Sequence, residues 1–151
     1  MRDVLVDTLG REVELEQAAH PLQTAGSTVI ALYADDEWRT VALIAMETPL
    51  AARIAGALAL VAPRRIDERI AGGTLWAEQF EDISEVFNVL ATLLNADGAP
   101  HVRRATVYDT LQTFPPSDVV AVLRSHLPRI DVDVTVRGYG SGTMAVIVSG
   151  A

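Results

Sequence analysis

The sequence predicts an α+β domain in which an antiparallel sheet is covered by helices. Two observations carry this. Strand-like segments come in pairs joined by short turns, and the helical segments lie between those pairs instead of alternating with single strands. The chain has 151 residues, half of them hydrophobic. That is enough for one core and too few for two ordinary domains, so residues 1–151 are read as a single domain.

Residues 2–9 form a short helix. After Gly10, Val13 and Leu15 alternate with Glu12, Glu14 and Glu16, the period of a strand. "STVIALYA" (27–34) is β-branched and apolar, "WRTVALIAM" (38–46) follows, and "DDE" (35–37) supplies the turn between them. Thr48 before Pro49 reads as a cap with proline at the first helical position, opening a buried helix through "LAARIAGALALVA" as far as Pro63. "RRIDERIAGG" is a short helix or linker, and a long helix over 75–95 is stopped by "ADGAP". "HVRRATVY" (101–108) is a strand, and Ser117 or Asp118 caps a short helix. "IDVDVTVRG" then alternates cleanly into the hairpin loop "GYGSG" (138–142) and the strand "TMAVIVSG".

Composition excludes several functions. The net charge of −8 opposes attraction to phosphate backbones and anionic membranes, so no nucleic-acid or membrane partner is expected. No apolar run reaches the roughly 18 residues of a membrane span, and "MRDVLVDTLG" lacks the layout of a signal peptide, so a cytoplasmic location is expected. There is no cysteine, hence no disulfide and no thiolate nucleophile. All twelve basic residues are arginine, which removes Schiff-base lysine chemistry and a Walker-type phosphate loop.

His20, His101 and His126 have no metal-motif spacing, and no metal site is expected. Asp131 and Asp133 alternate with Val132, Val134 and Val136, marking the wet face of a strand. The helix "EDISEVFNVLATLLN" (81–95) differs in kind. At about 100° per residue, Ile83, Val86, Phe87, Leu90, Leu93 and Leu94 share an apolar stripe, while Glu81, Glu85, Asn88, Thr92 and Asn95 recur on the opposite side. Asn88 in mid-helix costs a few tenths of a kcal/mol relative to Lys, Gln or Glu. Periodicity does not account for that choice.

Asp82-Ile83-Ser84-Glu85-Val86-Phe87-Asn88 resembles the D-x-x-E-x-x-N helix of the CheC and CheX chemotaxis phosphatases. A preceding hairpin and a helix rich in small apolar residues match that family's order over about residues 25–95. The equivalent earlier helix "PLAARIAGALALVA" (49–62) has no Asn and so carries no second motif, which makes the chain CheX-like. The resemblance implies hydrolysis of the aspartyl phosphate of a response regulator receiver domain. Asn88 would orient the attacking water, Glu85 would contact the regulator's active-site Lys, and Glu81, Glu85 and Thr92 would face the partner. Mg²⁺ would belong to the partner, with no cofactor in this chain. Two positions depart from the family pattern: Phe87 replaces a small residue and Thr92 a glycine. The resemblance also implies a homodimer joined at sheet edges, with "TMAVIVSG" as an exposed apolar strand. The alternatives are a catalytically silent CheC/FliM-like binding or adaptor domain and a generic α+β ligand-binding domain.

Overall fold

The computed structural model describes residues 1–23, 26–73, 75–95, 98 and 101–148. Its elements are α1 (Arg2–Leu9), β1 (Val13–Gln17), β2 (Thr28–Ala34), β3 (Thr40–Glu47), α2 (Thr48–Leu58), α3 (Pro63–Ala71), α4 (Ala77–Leu94), β4 (Arg103–Asp109), α5 (Ser117–Leu123), β5 (Arg129–Val136) and β6 (Gly140–Val148). The strands form one six-stranded sheet in the order β1-β5-β6-β3-β2-β4, with every neighbouring pair antiparallel. The architecture is the α+β class that the sequence predicts.

Why "STVIALYA" shows no alternation is clear from the sheet: β2 is buried on both faces. Val29, Ala31 and Tyr33 join the core beneath α2 and α4, while Ile30 and Leu32 pack with Leu43, Ile147 and the α5 residues Val119 and Leu123. An unbroken apolar run is the sequence form of a strand covered on two sides. The "DDE" turn is built by Asp35, whose carboxylate accepts the backbone N–H groups of Glu37 and Arg39 at 3.0 and 2.9 Å. That is the local chemistry by which Asp favours turns.

"RRIDERIAGG" is a helix through Ala71 rather than a linker. It crosses close to α2 because Gly56 has no side chain: a Cβ there would meet Ile66 Cγ1 at 2.5 Å. Helix α2 ends at Leu58, short of Pro63, and Leu60 adopts a left-handed φ of 57°. Thr48 does not cap it; Glu47 occupies the N-cap position, and the Thr48 hydroxyl is buried without a partner among the described residues. Neither Ser117 nor Asp118 caps α5, whose N-cap position is Pro116. The "GYGSG" hairpin is tighter than expected, since Val136 already pairs with Gly140 and the Tyr139 N–H returns to the Val136 carbonyl at 2.9 Å.

The expectation that "TMAVIVSG" is an exposed edge strand fails. β6 lies inside the sheet between β5 and β3, with Met144 to Ile147 buried, and the sheet edges are β1 and β4. Its apolar run reflects two covered faces, so it offers no edge to a second copy. Four residues of "ADGAP" (96, 97, 99 and 100) and residues 149–150 of the last strand reading lie outside the described residues.

Candidate functional site

Helix α4 lies on the sheet by the stripe read from its sequence. Ile83, Val86, Phe87 and Leu90 are fully buried, whereas Glu81, Glu85, Asn88 and Thr92 are exposed. Three contacts fix the helix in place. At its start the Gln79 side-chain oxygen accepts the Trp76 N–H at 3.0 Å. In the middle the Tyr33 hydroxyl of β2 donates to the Phe87 carbonyl at 2.7 Å. At its end Asn95 joins α4 to the approach of β4: its amide donates to the Ala91 and Val102 carbonyls at 3.1 and 2.9 Å, and its oxygen accepts the Val102 N–H at 2.6 Å. Asn95, grouped by periodicity with the outward polar side, is therefore a half-buried structural tie.

The predicted pair is assembled. The Asn88 amide donates to Glu85 Oε2 at 3.2 Å, one helical turn apart on an exposed face. Thr92, a turn further on, is exposed, and its hydroxyl donates to its own helix at the Val89 carbonyl, 2.8 Å away. Glu81 stands at the opposite end of the same face. It borders a cleft of about 550 Å³ between α4 and β4 that is also lined by Val107, Asp109 and Gln112. Asp82, the first residue of the motif, has its carboxyl held above the ordinary carboxylate range by burial and then by the charges of Glu81 and Glu78.

Sequence reading missed one member of this site. Arg104 of β4 donates from Nε to the Asn88 oxygen at 2.5 Å, so the carboxamide lies between a guanidinium and a carboxylate. A bulge places Arg104 there. Leu32 pairs with Thr106 but Tyr33 pairs with Arg104, leaving Ala105 without a partner. In a regular strand Arg104 and Thr106 would share a face; the extra residue turns Arg104 onto the Tyr33 side, under α4. Arg103 points elsewhere and stacks on the Trp38 ring, 4.1 Å from its centroid. Two adjacent arginines in a strand give no sequence signal of which one a bulge will select.

The other candidates have structural roles. Asp131 is not wet: it accepts the Leu22 N–H at 2.8 Å and two bonds from Arg129 at 2.7 and 2.8 Å, and Asp133 accepts the Thr143 hydroxyl at 2.8 Å. The three histidines are exposed, and among the described residues no group of three or more His, Asp or Glu side chains could hold a metal. No helix among the described residues is long and apolar enough to cross a membrane.

The pair keeps free hydrogen-bonding capacity. The Asn88 oxygen keeps a second lone pair, its amide a second hydrogen, and Glu85 a second carboxylate oxygen. No family model matches the sequence, and no curated protein sequence matches it. Solved structures resemble the fold. The FliM middle domain of Vibrio alginolyticus superposes with a TM-score of 0.60 at 13% identity, covering 98% of this chain and 85% of that one. The chemotaxis protein CheX of Desulfovibrio desulfuricans gives 0.52 at 11%, covering 97% and 92%. A chain of the FliG–FliM complex of H. pylori gives 0.54 at 9%, covering 97% and 83%. The chain thus has the CheX/FliM middle-domain fold.

Proposed function

We propose that this protein is a CheX-like phosphatase that hydrolyses the aspartyl phosphate of a response regulator receiver domain. The observation that carries the reading is the Glu85–Asn88 pair, hydrogen-bonded and exposed on the outward face of α4. Phosphoryl transfer passes through a loose transition state in which positioning and charge stabilisation supply most of the catalysis, so a carboxamide that aligns a water suffices as the protein's contribution. Asn88 accepts a hydrogen from that water and directs its oxygen at phosphorus. Glu85 gives its free carboxylate oxygen to the receiver's active-site lysine and sets the helix in register over the phosphoryl group. Mg²⁺ and the acyl phosphate are the partner's. Glu81 and Thr92 extend the docking face at either end.

A second reading is a binding or adaptor domain without catalysis. The higher TM-score with a FliM middle domain than with CheX, 0.60 against 0.52, and the side chain of Thr92 on the docking face favour it. FliM is a component of the H. pylori complex with FliG, so the fold serves protein association as well.

The experiment loads receiver domains from the same genome with a small phosphodonor, removes the donor and follows phosphate release. The wild-type chain should accelerate release, and Asn88→Ala should lower that acceleration by about 100-fold while retaining binding. Binding without acceleration would select the adaptor reading.

A further inference from the structure

Resting on the phosphatase reading, we propose that Arg104 is a catalytic residue of the same site, contacting the phosphoryl oxygens as they gain charge in the transition state. Three observations lead to it. Arg104 is the cation bonded to Asn88, through Nε, so its guanidinium lies beside any water the carboxamide holds. Among the described residues, its two terminal nitrogens have no hydrogen-bond partner. The bulge at Ala105 turns this side chain toward α4, and bulges beside functional sites commonly re-aim a side chain in this way.

The charge balance favours such a group. The exposed face of α4 carries Glu78, Glu81 and Glu85 in a chain of net charge −8, an unfavourable field for an approaching phosphoryl group. Asn88 is neutral and Glu85 repels it. Arg104 offers a planar fork that matches phosphoryl oxygens two at a time.

In the step itself the water oxygen bonds to phosphorus. The phosphorus–oxygen bond to the aspartyl carboxylate breaks, and its electron pair leaves with the carboxylate. The water's proton departs on the released phosphate or to solvent, since neither Asn88 nor Arg104 can accept it. Arg104 holds the equatorial oxygens throughout, the function an arginine has in other phosphoryl-transfer sites.

Arg104→Gln and Arg104→Lys test this in the full chain, with a phosphorylated receiver for turnover and a beryllofluoride-loaded receiver for affinity. The expected result for Arg104→Gln is a kcat at least tenfold lower with KM within about threefold, and a similarly smaller preference for the loaded over the unloaded receiver. Arg104→Lys should recover part of both. A purely structural tie to Asn88 would leave the loaded-to-unloaded preference unmoved, and that outcome overturns the proposal. So does a Gln variant as active as wild type; the phosphatase reading then stands and the role of Arg104 falls. A wild-type chain that neither releases phosphate nor prefers the loaded receiver overturns both.

Discussion

Tyr33 shows how one buried side chain governs the position of the candidate site. Its hydroxyl bonds to the carbonyl of the residue just before Asn88, so it sets the height of that helical turn above the sheet. Tyr33→Phe removes the bond and should cost about 1 kcal/mol, lowering the melting temperature by about 2–4 °C. Burial raises the Tyr33 phenol well above its ordinary pKa near 10, with the Arg104 charge opposing. A raised folded-state value means that the stabilisation is complete below pH 10 and is lost as pH climbs toward that value. Stability measured by denaturation from pH 8 to 11.5 should therefore fall more steeply for wild type than for Tyr33→Phe.

Asp131 carries the opposite sign. Burial raises its pKa, but bonds from Arg129 and the Leu22 N–H, with the Arg129 charge, outweigh that and hold the carboxyl below its ordinary range. Its contribution is present above about pH 4 and disappears on acidification. The urea midpoint should drop between pH 5 and 2.5, and Asp131→Asn should remove part of the drop.

At the scale of elements, α4 is only as well placed as its ends. Asn95 makes three bonds across the connection to β4. Asn95→Ala should cost about 1–3 kcal/mol and speed amide exchange over residues 91–94 before the rest of the helix. Gly142 is a similar control point for α2: a Cβ there would come within 2.7 Å of Leu50 Cβ and 2.9 Å of the Glu47 carboxylate. Gly142→Ala should destabilise by about 1–3 kcal/mol, because Leu50 is fully buried and has nowhere to move.

The contrast between α4 and β4 explains what was legible in the sequence. An amphipathic helix declares its faces through spacing, so Glu81, Glu85, Asn88 and Thr92 could be assigned to one exposed surface from residues alone. Arg104 could not, since its face depends on a one-residue bulge set by pairing with β2. Asn95 was misread because a polar residue at a helix end looks the same whether it meets water or ties down the next strand. β6 was misread because an apolar strand covered on both sides has the composition of an exposed sticky edge.

At the scale of the whole molecule, the proposed association depends on charge. An acidic chain with Glu78, Glu81 and Glu85 on the exposed face of α4 favours a partner that presents cations there. Raising the salt from 0.05 to 0.5 M should weaken receiver binding severalfold, mainly through slower association. Affinity that does not change with salt would argue against docking through this face. We propose above that the exposed Glu85–Asn88 pair does chemistry on a partner's phosphoryl group. The most direct test is the rate at which a donor-free, phosphorylated receiver loses phosphate in the presence of a stoichiometric amount of this protein. Release should run well above the spontaneous rate with wild type and return to near that rate with Asn88→Ala. Release at the spontaneous rate from every receiver that the wild-type protein binds would rule out catalysis by this pair.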